Sequence, residues 1–77
     1  MVISAEWRRA LRVVARCPDG CTETTLLALG FTSSMLAGLV LDRFATATSE
    51  TEQAGGRAIK VVRVRITDAG RQALADK

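Results

Sequence analysis

Thr22-Glu23-Thr24-Thr25-Leu26-Leu27-Ala28-Leu29-Gly30-Phe31-Thr32-Ser33-Ser34-Met35-Leu36-Ala37-Gly38-Leu39-Val40-Leu41-Asp42-Arg43-Phe44 is the stretch whose reading decides the fold. Its first part predicts a short helix over residues 22–29. Thr22 can cap the free N–H groups, and Glu23 sits in the first turn, where the helix dipole favours a negative charge. Leu26, Leu27 and Leu29 supply a packing face. Gly30 ends the segment, and Phe31 is placed as a plug between this helix and the next. Thr32 or Ser33 then caps a helix over about residues 33–43, with Met35, Leu36, Leu39, Val40 and Phe44 at helical spacing. Two helices across so tight a glycine turn make a helix-turn-helix pattern.

Upstream, residues 4–16 predict a first helix with Ser4 as its cap and Glu6 in its first turn. Ile3, Trp7, Leu11 and Val14 form an apolar stripe, with Ala10 and Ala15 beside it. Arg8, Arg12 and Arg16 fall on another face, next to Arg9, and read as a solvated stripe. Pro18-Asp19-Gly20 stops the helix, because proline cannot continue the hydrogen-bond ladder and glycine tolerates a turn.

Downstream of Phe44 the period changes. Ala45-Thr46-Ala47-Thr48 alternates small and β-branched residues, and Ile59-Lys60-Val61-Val62-Arg63-Val64-Arg65-Ile66 is a strand pattern. Val62, Val64 and Ile66 share one face, and Arg63 and Arg65 the other. The expected hairpin has a short first strand and a loop over Glu50 to Gly56. Thr67 then caps a last helix anchored by Leu74, with Ala69 and Ala73 small enough to let it lie close.

The whole chain bounds these readings. Its 77 residues suffice for one compact core and fall short of two, so residues 1–77 are expected to form one domain. A hydrophobic content of 48% argues against wholesale disorder. No run of about 18 uncharged apolar residues exists, which excludes a membrane helix. Arginines interrupt the apolar positions of the N-terminal segment, so no signal peptide is read there, and a cytoplasmic location is the expectation. The net charge of +3 favours polyanions modestly.

Enzymatic chemistry and cofactors are not expected. The chain has no histidine for proton transfer near neutral pH, and its acids are scattered. Gly55-Gly56 lacks the pattern of a phosphate-binding loop. Cys17 and Cys21 alone cannot close an ordinary zinc site, and their spacing is not that of the redox pair. They read as two thiols at a helix end and the next helix start, with a disulfide as the alternative.

The order helix, helix, helix, strand, strand, helix resembles a winged helix-turn-helix: an α+β fold of three helices, a β-hairpin wing and a short C-terminal helix. Thr22 to Thr32 looks like its second helix and turn, and Leu39 to Ala45 like the junction of its third helix with the wing. Ile66-Thr67-Asp68-Ala69-Gly70-Arg71-Gln72-Ala73-Leu74 is similar to the segment that follows the wing in MarR-type and PadR-type bacterial regulators. MarR-type regulators carry additional helices that build a dimer; this chain resembles their winged core alone.

The resemblance implies a small DNA-binding protein, a transcriptional regulator, with the third helix in the major groove of double-stranded DNA and the wing on the backbone. Arg57, Lys60, Arg63 and Arg65 would anchor phosphates, Thr32, Ser33 and Ser34 would face the groove, and Arg43 would lie nearby. The usual base readers are missing from the first two turns of that helix. Glu50 and Glu52 would dilute the basic field if they face the same way. The competing reading is a protein-interaction or dimerisation module without DNA binding, in which Ala37, Gly38 and Leu41 meet a protein partner or a second copy in a homodimer. An exposed apolar patch would favour protein contact, and a continuous positive surface joining the third helix to the hairpin would favour DNA.

Overall fold

A computed structural model describes residues 3–75. The elements are α1 (Ala5–Ala15), β1 (Cys21–Thr22), α2 (Glu23–Ala28), α3 (Ser33–Leu41), β2 (Ala45–Ala54), β3 (Arg57–Ile66) and α4 (Asp68–Ala75). The three strands form one antiparallel sheet in the order β1-β3-β2. This α+β arrangement is compatible with a winged-helix-type fold. No helix among the described residues is long and apolar enough to cross a membrane.

Local chemistry sets the helix ends. The hydroxyls of Ser4, Thr22 and Thr32 accept from the backbone N–H three residues on, at 3.1, 3.2 and 3.1 Å. Each cap satisfies a donor that the helix leaves without a partner. The two central helices also end alike. After α2, Gly30 N–H donates to Leu27 O at 3.0 Å and Phe31 N–H to Leu26 O at 3.2 Å. After α3, Arg43 N–H donates to Val40 O at 3.0 Å and Phe44 N–H to Leu39 O at 2.9 Å. This paired closure is the Schellman motif, which needs a left-handed residue just past the helix. Gly30 supplies it with φ 99°, and Arg43 with φ 65°. In both cases the next residue is a phenylalanine that turns into the core.

The core is one cluster. Leu11, Val14, Leu26 and Leu39 are fully buried, and Phe31, Leu36, Phe44 and Val64 nearly so. No buried polar or charged residue occurs among the described residues. Trp7 packs edge-on to Phe44, with ring centroids 6.2 Å apart. Of the leucines assigned to the packing face of α2, only Leu26 is buried; Leu27 and Leu29 are exposed, because a six-residue helix offers the core little more than one turn. On α4, Gly70 and Ala73 are the buried residues, while Leu74 is half-buried and Ala69 exposed.

The hairpin departs most from expectation. Its first strand runs ten residues and pairs continuously with β3, from Ala45 opposite Ile66 to Ala54 opposite Arg57. The expected loop over Glu50 to Gly56 shrinks to Gly55 and Gly56, with φ 59° and 81°. Two consecutive positive φ values match the twist of the flanking strands, which is why tight hairpins favour glycine there. Ala and Glu have weak strand preference, and from Ser49 to Ala54 only Thr51 is β-branched, so this half of β2 draws its order from its neighbour. The short strand β1 was not anticipated: Cys21 faces Val64 and Thr22 faces Arg63.

Cys17 and Cys21 are joined by a disulfide, with Cα atoms 5.9 Å apart. The bond replaces the two free thiols expected. It closes the Pro18-Asp19-Gly20 turn and holds the end of α1 against β1.

Candidate interaction surface on α3 and the hairpin

Residues facing each other across an antiparallel ladder share a side, and successive residues alternate. The register therefore sorts the hairpin into two faces. One carries Thr46, Thr48, Glu50 and Glu52 of β2 with Arg57, Ile59, Val61, Arg63 and Arg65 of β3. The other carries Ala45, Ala47, Ser49 and Thr51 with Lys60, Val62, Val64 and Ile66. Lys60 is thus separated from the three arginines with which the sequence grouped it.

Arg63 and Arg65 are engaged within the chain. Arg63 donates Nε to Glu50 Oε1 at 3.0 Å, Nη1 to the Gly20 carbonyl at 3.3 Å, and Nη2 to Glu52 Oε1. Its side chain is only 17% exposed. Arg65 Nη1 lies 3.0 Å from Glu50 Oε2, and its side chain is 40% exposed. Glu50 bridges both arginines. Hydrogen bonds from Arg63 and then Arg65 hold its carboxyl below the usual carboxylate range. Two guanidinium groups and two carboxylates thus compensate one another, because β2 is long enough to carry both acids past the arginines. Arg57, beside the turn, and Lys60 are exposed and make no ion pair among the described residues.

On α3, Thr32, Ser33 and Ser34 are exposed at the N-terminal end. The Thr32 hydroxyl is already used in the cap. Arg43 is exposed at the opposite end, and its carbonyl accepts from Thr67 Oγ1 at 2.6 Å. Gly38, grouped by the sequence with the outward residues, faces inward instead. A Cβ there would lie 2.8 Å from Trp7 Cζ2, so the residue is small to admit the indole of α1.

Between α3 and the hairpin runs an open groove of about 400 Å³. Leu36, Ala37, Val40 and Leu41 line it from α3, Ala47 from β2, and Val62 and Val64 from β3. Glu23 and Ser33 are its polar members. Leu41 is 81% exposed, the most exposed large apolar side chain among the described residues. The contribution of Val62 was not anticipated. The available signal was α3 itself, which from Met35 to Leu41 is apolar or small at every position and so has more apolar surface than one core contact uses.

The arginines of α1 are less uniform than a solvated stripe. Arg8 is half-buried and donates Nη1 to the Leu74 carbonyl at 3.4 Å, tying α1 to α4. Arg9 lies over the Phe31 ring, 5.8 Å from its centroid. Arg12 and Arg16 are exposed. No group of three or more His, Cys, Asp or Glu residues suited to a metal ion occurs among the described residues. The chain matches no protein-family model, no curated protein and no solved structure.

Proposed function

We propose that this chain is a winged-helix-type module whose working surface is the groove between α3 and the hairpin, and that the groove takes the apolar side chains of a protein partner. The observation that carries the reading is the union of that apolar groove with the exposed Leu41 on a helix, Ser33–Leu41, that carries no Asn, Gln, Arg or Lys. Exposed apolar surface of this kind is costly to leave in water and marks contact sites. The Arg63–Glu50–Arg65 cluster, with Glu52, adds support, because the two carboxylates offset the charge of half of the basic set.

A second reading is DNA-backbone contact through the hairpin end. It is favoured by Arg57 and Lys60, which make no ion pair among the described residues, together with the net charge of +3. One pair of variants separates the two. Wild type, Leu41→Asp and the double variant Arg57→Ala/Lys60→Ala are titrated with generic duplex DNA at low and near-physiological salt. The same proteins serve as bait, and any candidate partner is purified and its contact mapped by amide chemical shifts. The protein-contact reading expects little DNA binding and a purified partner whose shifts fall on Val40, Leu41 and Val62 and vanish with Leu41→Asp. Salt-sensitive DNA binding that survives Leu41→Asp and is lost in the double variant would replace it with the DNA reading.

A further inference from the structure

The outer edge of β2 poses a separate question. β2 pairs only with β3, so ten residues of backbone have no strand partner on the other side among the described residues. Such an edge is a template for another strand. Proteins that must stay single usually blunt it with proline, lysine, a bulge or a very short strand. β2 has none of these. It reads Ala45-Thr46-Ala47-Thr48-Ser49-Glu50-Thr51-Glu52-Gln53-Ala54 and pairs without interruption. Its only charges, Glu50 and Glu52, are held by Arg63 and Arg65 of the same chain.

We propose that two copies of this chain pair antiparallel through the outer edges of β2, about a two-fold axis at Ser49, to form one continuous six-stranded sheet. The charge pattern and the length of strand overlap together select that register. With Ser49 facing its own copy, Thr48 faces Glu50, Thr46 faces Glu52, Ala47 faces Thr51 and Ala45 faces Gln53. Every carboxylate meets a hydroxyl, and all nine residues from 45 to 53 have a partner. Centring the axis on Glu50 would set Glu50 against Glu50, and centring it on Thr51 would set Glu50 against Glu52; like charges directly opposite are destabilising. Centring it on Thr48 leaves Glu52 facing Phe44, outside the strand. A two-fold contact of one strand with itself is the isologous kind that closes at two copies. The inference stands on the strand edge alone and does not depend on the groove.

The contact is smaller than the ~1,200 Å² of a standard interface, so the dimer is a weak one, to be sought at about 100 µM protein. Sedimentation equilibrium should show dimerisation of the wild type. Ser49→Lys should weaken it at least about fivefold by setting two ammonium groups opposite each other. Ser49 is exposed, and circular dichroism with a thermal melt verifies that the variant stays folded. Mild oxidation should link Ser49→Cys into a covalent dimer, since directly facing Cβ atoms are about 5 Å apart. Thr51→Cys should not link, its two copies lying about 13 Å apart along the strands. A wild type that stays monomeric overturns the proposal. So does a dimer indifferent to Ser49→Lys, and one that Leu41→Asp dissociates would instead locate the self-contact in the groove.

Discussion

Gly70→Ala is expected to destabilise the protein, although it replaces glycine by the best helix former inside a helix. Helix propensity alone would make the variant more stable by about 1 kcal/mol. The structure opposes that gain. A Cβ at position 70 would run into the Phe44 carbonyl oxygen and lie 2.7 Å from Ile66 Cγ1 and 3.1 Å from the Phe44 carbonyl carbon. The carbonyl cannot easily move, because it accepts from Thr67 N–H at 3.1 Å while Thr67 Oγ1 donates to the neighbouring Arg43 carbonyl. Relief therefore requires α4 to shift, which strains the Gly70 N–H to Thr67 Oγ1 cap of 3.1 Å. Overpacking of this kind costs about 1–3 kcal/mol and a lost cap about 1 kcal/mol. After the propensity gain is subtracted, the net loss is about 2 kcal/mol. For a chain of this size that lowers Tm by about 8–16 °C. Trp7 reports the transition, since it packs on Phe44 at the same junction. Urea unfolding followed by Trp7 fluorescence, with exposed Ala69→Gly as the propensity control, measures the effect. Equal or greater stability of Gly70→Ala would refute the close approach of α4 to the α3–β2 junction.

Three further outcomes follow from the geometry. Arg43→Gly should raise stability by up to about 1 kcal/mol in chemical denaturation, because φ 65° strains a residue with a side chain; Gly30→Ala should lower it by about 1 kcal/mol through the backbone alone, as a Cβ there meets nothing. Glu50 has a folded pKa depressed below its unfolded value, so its stabilising contribution is full above the usual carboxylate pKa and is lost as pH falls through the lower folded one. Wild type should accordingly melt higher than Glu50→Gln at neutral pH, and the two melting curves should converge in acid. Replacing Cys17 and Cys21 together by serine opens a five-residue loop, for which the chain-entropy relation gives a loss of about 2 kcal/mol, readable as a shift in urea midpoint that reductant reproduces in the wild type.

Neighbouring residues determined much of this protein by themselves. Ser4, Thr22, Thr32 and Thr67 announce helix starts because a cap is completed within three residues, and Gly30 announces a stop for the same local reason. The branched run of β3 and the apolar stripe of α1 were legible from their periods. The tertiary structure decided what depends on distant partners. From Ser49 to Ala54, β2 has weak strand preference and takes its full length from pairing with β3, and β1 exists only because Cys21 and Thr22 lie beside Val64 and Arg63. The candidate surface was legible in part: Ala37 and Leu41 stood out as outward on α3, while Gly38 belonged to Trp7 and the opposite wall came from Val62 and Val64. Arg57, Lys60, Arg63 and Arg65 form an acid-free basic run along β3, and whether Glu50 and Glu52 dilute it depends on the face they take. Pairing brought Glu50 and Glu52 onto the face of Arg63 and Arg65, and an ion pair is set by which residues meet across the ladder, a distance that spacing along the chain does not contain.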